Sequence, residues 1–300
     1  MNSAQFIDQS VCYLCGSKAR NVEKELGTQE GQLFLRWVRC KECELVYLDP
    51  RPSMHALSVL YDSQGYWQGE DGYQDYLAEG TWRRKQADAR ARWFVKQLNR
   101  HHSGSHLRVL EVGSAAGFFL QALAEAGVRA EGLDISRPMV RLSGNGGGRS
   151  LSVTQGRVEE TDFPNHRFHG LAAWGCDSNF NDPLHAFRKF SDWLKPGGLL
   201  AFNFHEYDHW ASLLKGRFKL MPNALYFMNS KHVKRILSEF GFELMEQKVE
   251  QCWMNLATVY HHTGHKWLVP TSQGPLAHVP IKLPVPGAYR VLARKLPTSL

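Results

Sequence analysis

The segment Glu111–Gly117 (EVGSAAG) stands between an apolar run typical of a strand and a segment typical of a helix. Its glycines allow a tight turn and let the backbone approach a ligand closely. The helix that follows presents unpaired backbone N–H groups in its first turn, and these can meet that ligand. A loop of this kind also occurs as a plain connection, so its surroundings decide what it indicates.

Apolar runs and helical segments alternate from Leu107 onward and predict an α/β fold. Strands are predicted at 107–112, 130–133, 151–154, 170–174 and 199–204, and helices at 118–126, 137–142 and 183–194. Strands joined by helical crossovers form a parallel sheet with helices on both faces. A helix at 230–240, capped by Ser230 and ended by Gly241, precedes two more predicted strands, 242–249 and 253–260. We expect these to form an antiparallel edge pair, which gives a Rossmann-like, mostly parallel sheet of seven strands.

An acidic residue ends the second predicted strand, 17 residues beyond Gly117. A carboxylate at this point, here Asp134, can accept hydrogen bonds from both ribose hydroxyls of a nucleoside cofactor. Ile135 can then lie on the adenine ring. The loop differs from the G-x-G-x-x-G fingerprint of dinucleotide sites, and Glu111 has no obvious task beside a pyrophosphate. The pattern therefore indicates a nucleoside cofactor other than a dinucleotide.

The segments VLEVGSAAGFFL and EGLDIS resemble the cofactor loop and second acidic motif of class I S-adenosylmethionine-dependent methyltransferases. The later segment DWLKPGGLLAF resembles this family's connection into strand five, and the resemblance covers about residues 80–260. It implies a methyltransferase in which the Glu111 carboxylate meets the methionine ammonium and the Val158 N–H meets adenine. The cofactor-binding residues that it implies are Glu111, Gly113, Ser114, Ala115, Gly117, Phe118, Asp134, Ile135, Val158 and Trp174.

The chain departs from the family pattern at three places. Arg157 stands where the family often has an aspartate for the adenine amino group, and Ser178-Asn179 stand where it often has Glu-His. In the segment Lys219–Phe227, Ala224 occupies a position where the family often has a histidine. A base that the family sometimes uses is therefore missing at that position.

Four of the six cysteines form two CxxC pairs, Cys12/Cys15 and Cys40/Cys43, separated by 24 residues. Two such knuckles give a tetrahedral zinc site, and a closed four-sulfur site is structural. The alternative, two redox pairs, requires a helix start that this segment lacks. The run from Val11 to Trp67 resembles the N-terminal ribbon of a bacterial methyltransferase group, and this implies a small-molecule acceptor such as a sugar. Some sugar C-methyltransferases with such a ribbon also carry a further C-terminal domain, and we expect this chain, which ends too early for one, to differ from them.

A polar cluster follows the fifth predicted strand and includes His205 and His209. Ligands of open α/β sheets bind outside the carboxyl ends of the strands. We therefore expect either histidine to serve as the general base that deprotonates an attacking hydroxyl. The alternative is a solvated loop, since the chain contains 14 histidines in total.

The segment 61–76 is rich in aromatic side chains, namely Tyr61, Tyr66, Trp67, Tyr73 and Tyr76. These side chains either form a lid that excludes water from the transfer or pack the ribbon against the catalytic domain. Arg83 and Arg84 open the helix before the first strand of the sheet. We expect a solvated helix face there, with contact to the cofactor carboxylate as the alternative.

The net charge of +7, from 36 basic and 29 acidic residues, is spread along the chain without a run of five or more cations. This favours a mildly basic enzyme over a nucleic-acid-binding protein. No stretch of 18 uncharged apolar residues occurs, and residues 1–10 lack the features of a secretion signal. We therefore expect no transmembrane helix and a cytoplasmic location.

Together these observations predict four segments and one activity. The segments are a zinc ribbon at 1–52, an aromatic lid and lead-in helix at 53–106, a catalytic domain at 107–262 and a loosely packed, proline-rich basic tail at 263–300. The predicted activity is methyl transfer to a small polar metabolite, with O-methylation favoured over N- or C-methylation. The alternatives are an RNA or protein methyltransferase that uses the ribbon for docking, and a catalytically silent cofactor-binding scaffold.

Overall fold

The fold is known from a computed structural model, which describes residues 6–7, 11–26, 35–68, 76–77, 79–102, 106–144, 151–210, 224–254 and 279–297. Its strands are β1 Phe6–Ile7, β2 Arg20–Leu26, β3 Leu35–Cys40, β4 Val46–Asp49, β5 Arg51–Pro52, β6 Arg108–Val112, β7 Arg129–Asp134, β8 Ser152–Gln155, β9 Phe168–Ala173, β10 Leu194–His205, β11 Tyr226–Phe227, β12 Phe242–Met254 and β13 Ile281–Lys295. Its helices are α1 Met54–Asp62, α2 Gln64–Trp67, α3 Gly80–His101, α4 Phe118–Glu125, α5 Arg137–Gly144, α6 Pro183–Trp193 and α7 Ser230–Glu239.

A seven-stranded sheet with the order β12-β13-β10-β9-β6-β7-β8 forms the centre of the molecule. The strands from β10 to β8 are parallel to their neighbours, whereas β13 runs antiparallel to both β10 and β12. This confirms the predicted α/β class and the mostly parallel sheet. The carboxyl ends of the parallel strands lie along one edge, where a ligand site is expected.

Successive residues of the strands point to opposite faces of the sheet, and helices cover both faces. On one face, α3 and α4 bury Phe94 and Phe119 against Val109. On the other face, α6 and α7 bury Phe187 and Ile236 in the cluster that also holds Leu110 and Leu200. The central strands are therefore buried on both sides, as in other parallel sheets.

The last strand of the sheet corrects two predictions. Segment 281–295 is strand β13 of the sheet, and its Val291 is fully buried, so this part of the tail is not loosely packed. Strand β12 extends to Met254 and pairs antiparallel with β13, so residues 253 and 254 belong to the same strand as 242–249. The rest of the second predicted strand, residues 255–260, lies outside the described residues. Pro284 pairs only with β12, and pairing with β10 begins at Ala288. The prolines therefore lie where β13 lacks a second neighbour, and this is where a strand tolerates them.

The N-terminus of α7 corrects a further prediction. The Asn229 side chain, not Ser230, caps this helix, because it accepts hydrogen bonds from the backbone N–H groups of Lys231 and His232. The His232 Nδ1 accepts from the Asn229 N–H at 3.1 Å and completes a reciprocal cap. Gly241 ends the helix as predicted, with a left-handed φ of 73°.

A second, antiparallel sheet contains the ribbon and has the order β11-β4-β3-β2. Strand β11 comes from the chain that follows β10, and its Tyr226 pairs with Tyr47 of β4. The ribbon residues Tyr13 and Val38 belong to the same buried cluster as the core of the central sheet. One side of the ribbon therefore shares the core of the central sheet, whereas Trp37, Val46 and Leu48 form a smaller, separate cluster with Tyr207 and Ala224.

None of the helices in the described part of the chain has the length and apolar character needed to cross a bilayer.

Candidate functional site

The loop between β6 and α4 depends on backbone conformations that few residues adopt. Gly113, Ala115 and Gly117 have φ angles of 73°, 43° and 78°. A Cβ atom on Gly113 would lie 3.0 Å from the Cys176 Sγ, and one on Gly117 would lie 2.7 Å from a Leu151 methyl group. Only glycine combines such conformations with so little space, so these two residues set the shape of the loop.

The carboxylate of Asp134 holds this loop against the end of β7. Its Oδ2 accepts from the Ala115 N–H at 2.7 Å, and its Oδ1 accepts from the Ser136 N–H at 2.8 Å. Burial raises the pKa of Asp134 to about 6, and the two N–H donors oppose part of this rise. Each carboxylate oxygen has lone pairs for a further donor, so the hydroxyls of a ribose can be bound here.

Glu111 is the second carboxylate of the site and lies at the carboxyl end of β6. It is only 4% exposed, and its Oε2 has no hydrogen-bond partner in the described part of the chain. Burial raises its pKa well above the usual value, which the charge of Arg90 opposes and that of Asp134 reinforces. Because a buried polar atom without a partner is costly, this oxygen fits a cationic group of a ligand.

These carboxylates border a cavity of about 320 Å³ at the carboxyl edge of the sheet. Nine of the ten predicted cofactor residues line it, namely Glu111, Gly113, Ser114, Ala115, Phe118, Asp134, Ile135, Val158 and Trp174. The tenth, Gly117, precedes α4 and shapes the loop from outside the cavity wall. The volume lies in the range of small-molecule sites.

Helices α1 and α2 close one side of the cavity with aromatic side chains. Tyr61, Tyr66, Trp67 and Tyr76 all line the cavity and are buried, and Tyr61, Tyr66 and Trp67 pack edge to face in sequence. Tyr73 lies outside the described residues. The Ser136 hydroxyl and the Trp67 indole N–H both donate to the Tyr61 carbonyl. The described aromatic residues therefore both line the site and pack together.

Arg157 explains one departure from the family pattern. Its guanidinium donates to the Met54 carbonyl at 2.8 Å and to the Ser58 hydroxyl at 3.1 Å, and it pairs with Glu160. The side chain therefore holds α1 against the loop after β8. The helix cap near the second departure is intact, because the Asp182 carboxylate accepts from the His185 N–H at 2.9 Å.

Helix α3 contributes cavity residues that were not predicted. Gln86 and Arg90 line the cavity, and both donate to the buried Glu250 of β12. In the sequence these two residues form a polar pair four positions apart on one side of a helix. Such a pair cannot be distinguished in the sequence from a solvated helix face. Arg83 also lines the cavity, whereas Arg84 pairs with Asp88 and with the exposed Glu125 outside it.

His205 and His209 lie at the carboxyl end of β10 and just beyond it. His205 is opposite Ala288 of β13, and the His209 ring packs near Trp210 and Tyr289. Neither histidine is among the residues that line the cavity in the described part of the chain. Their catalytic role remains a prediction.

The four predicted metal ligands come together at one point of the ribbon. The sulfur atoms of Cys12, Cys15, Cys40 and Cys43 all lie within 4.8 Å of one another, and the Cys12–Cys43 and Cys15–Cys40 distances are both 3.5 Å. None of them forms a disulfide. A zinc ion about 2.3 Å from each of four sulfurs requires separations close to these. The thiol geometry and the donor type therefore fit zinc.

Comparisons with known proteins agree with this fold. A sequence profile of a methyltransferase domain matches residues 82–247, more than half of the chain. A search of curated proteins gives no significant match. A solved S-adenosylmethionine-dependent methyltransferase from Archaeoglobus fulgidus is similar to this chain with a TM-score of 0.52 and 18% identity, over 73% of this chain and 99% of that one.

Two further solved structures show the same fold. A Haloferax volcanii protein, solved with the Trm112 methyltransferase activator, gives a TM-score of 0.51 and 18% identity over 73% of this chain and 96% of that one. The YcgJ protein of Bacillus subtilis gives a TM-score of 0.50 and 16% identity, over 67% of this chain and 97% of that one. The profile match, together with the seven-stranded sheet and its cavity, shows that the chain belongs to the methyltransferase-domain family and is an S-adenosylmethionine-dependent methyltransferase.

Proposed function

We propose that this protein transfers a methyl group from S-adenosylmethionine to a small polar metabolite, with a hydroxyl oxygen as the favoured acceptor atom. The observation that carries the proposal is that Asp134 and Glu111 border the same cavity, and that the Glu111 Oε2 has no hydrogen-bond partner among the described residues. One carboxylate suits a ribose and the other suits an ammonium group. S-adenosylmethionine carries both groups.

The chain provides a distinct contact for each part of the cofactor. Asp134 would hold the ribose, Glu111 the methionine ammonium, and Ile135 and Val158 the adenine ring. Gly113 has no Cβ atom, and this leaves room for the Cys176 side chain beside the bend. When bound, S-adenosylmethionine supplies a methyl group that is activated by its sulfonium. The main task of the protein is then to align this methyl group with the acceptor and to keep water away.

The shape of the cavity supports a small acceptor. Tyr66, Trp67 and Tyr76 cover one side, and α3 covers another with Trp82 and Gln86. A cavity of about 320 Å³ with these walls is of a size that suits a small ligand. Arg39 joins the ribbon to Asp208 of the catalytic part through two hydrogen bonds.

We propose that zinc occupies the four-cysteine cluster and has a structural role. The neighbouring Cys12 thiol and burial raise the pKa of the Cys43 thiol to about 11, so a Cys43 thiolate is disfavoured without a cation. A dication removes that penalty and contributes folding free energy. A closed site with four sulfur ligands has no open position for a substrate.

Replacement of Asp134 by alanine is expected to weaken binding of S-adenosylhomocysteine at least about 100-fold, because hydrogen bonds from ligand hydroxyls to a carboxylate are lost. Isothermal titration calorimetry measures the change. Asp162→Ala is the control, since Asp162 is an exposed acid that pairs with Lys189 on the surface. Wild-type affinity in a folded Asp134→Ala protein would contradict the cofactor assignment.

Replacement of Cys15 by serine is expected to abolish stoichiometric zinc and to lower the thermal unfolding temperature, because the metal loses one of its ligands. Mass spectrometry of metals and calorimetry give the two readouts. The matched control is Cys252→Ser, which alters a thiol on β12 outside the cluster. Equal zinc content in both variants would exclude this site.

Incubation of the protein with S-adenosylmethionine labelled in its methyl group and with cell extract is expected to label compounds below about 3 kDa, since the cavity suits a small ligand. Size fractionation and scintillation counting locate the label. The Asp134→Ala protein serves as the blank. Label confined to RNA or protein would instead support the macromolecular alternative.

The proposed base is tested by single alanine substitutions at His205 and His209. If one of them deprotonates the acceptor hydroxyl, kcat should fall about 100-fold or more in that variant, with little change in cofactor affinity. His185→Ala is the control, because His185 lies in the first turn of α6 and is not among the described residues that line the cavity. An unchanged kcat in both variants would dismiss the histidines as bases.

A further inference from the structure

We infer that the zinc ribbon also positions one wall of the cofactor cavity, with Arg51 as the positioning residue. The wall concerned is the loop 175–182 after β9, called here the wall loop. The inference rests on the proposed cofactor site, because its consequence is measured as cofactor affinity. It gives the ribbon a task beyond its own folding.

The inner side of the wall loop faces the cavity. Its residues Gly175, Cys176, Asn179, Phe180 and Asn181 all line the cavity. The loop also packs against the glycine loop, since the Cys176 Sγ donates to the Val112 carbonyl at 3.4 Å and fills the space beside Gly113. A shift of the wall loop by a fraction of an ångström would therefore change both the cavity and the bend that approaches the cofactor.

Arg51 of the ribbon holds the outer side of the same loop. Its Nη1 donates to the Asn181 carbonyl at 2.9 Å and to the Asn181 Oδ1 at 3.3 Å. Asn181 is only 8% exposed, and its N–H donates to Glu159, which also lines the cavity. The guanidinium therefore fixes a buried residue of the cavity wall from the ribbon side.

The same guanidinium is held by the metal knuckle. Its central carbon lies 3.4 Å from the centroid of the Tyr13 ring. Tyr13 stands inside the Cys12-x2-Cys15 knuckle and is buried. A planar guanidinium can stack on a ring and donate hydrogen bonds within its plane at the same time, whereas a lysine ammonium cannot. Arg51 thus connects the knuckle to the cavity wall through direct contacts.

Tyr226 and Leu225 reinforce this connection beside Arg51. The Tyr226 hydroxyl donates to the Asp177 carbonyl at 2.7 Å, and the Leu225 N–H donates to the Ser178 carbonyl at 2.8 Å. Tyr226 belongs to β11, which extends the ribbon sheet, and its ring centroid lies 5.3 Å from that of Tyr13. The wall loop is therefore held at Asn181 by Arg51 of the ribbon, and at Asp177 and Ser178 by residues 225 and 226, where the chain joins the ribbon sheet.

Zinc would fix this arrangement through Cys12 and Cys15, which flank Tyr13. A knuckle without metal loses the constraint on the Tyr13 ring, and Arg51 then loses the surface on which it stacks. The cation–π contact and the hydrogen bonds to Asn181 are expected to weaken together. Zinc content and cofactor affinity should consequently be coupled.

The test compares Arg51→Ala with Arg39→Ala by calorimetric titration with S-adenosylhomocysteine. Arg39 is the matched control, because it also joins the ribbon to the catalytic part but contacts Asp208 and Glu23, outside the cavity wall. Arg51→Ala should weaken binding about tenfold with zinc retained, and Arg39→Ala should leave it unchanged. The affinity of the Arg51→Lys protein for S-adenosylhomocysteine should lie between those of wild type and Arg51→Ala.

Two further readouts separate positioning from general destabilisation. Hydrogen exchange of peptides covering 175–182 should increase in Arg51→Ala and not in Arg39→Ala. Removal of zinc by a chelator should weaken the binding of S-adenosylhomocysteine to wild type. It should weaken binding to Arg51→Ala little further, because both changes break the same connection. Equal affinities for wild type and Arg51→Ala, or equal losses in both alanine variants, would overturn the inference. Absence of binding to wild type would instead reject the proposed cofactor site itself.

Discussion

The hydrogen bond from the Ala115 N–H to the Asp134 carboxylate is the interaction on which the site depends. It connects the bend after β6 to the end of β7, although the two residues are 19 positions apart in the chain. A buried carboxylate is costly, and the raised pKa of Asp134 reflects that cost. The backbone donors make this burial tolerable, and the left-handed φ of Ala115 orients one of them. The polar groups needed for a ligand thus also hold the bend in place.

The ribbon and the catalytic part form a single packed unit rather than two linked modules. Strand β11 leaves the region after β10 to extend the ribbon sheet, and the His232 side chain donates from Nε2 to the Cys43 carbonyl at 2.6 Å. This direction follows from the His232 Nδ1, which accepts the Asn229 N–H and so leaves the proton on Nε2. These contacts connect the four-cysteine cluster directly to α7 of the catalytic part.

The elements predicted well from the sequence are those with strong local signals. The strand before Gly113 and the helix at 183–193, with its proline in the first turn, were both placed within a residue or two. The last strand was missed because Pro284 and Pro286 are typical of a loop. This segment is a strand because it pairs with β10 and β12, which are distant in the sequence, and such long-range pairing leaves no local signal.

The sequence alone determined the chemical identity of the site: a glycine bend, two carboxylates and four thiols at spacings that suit a nucleoside cofactor and a metal. These features are local, because each depends on a turn, a strand end or a CxxC knuckle. The tertiary structure alone decided which side chains surround them. Arg157 holds α1, Arg90 pairs with Glu250, and His205 is not among the described residues of the cavity wall, because these placements depend on how distant segments pack. Packing between segments far apart in the chain has no periodicity or spacing that a single sequence can display.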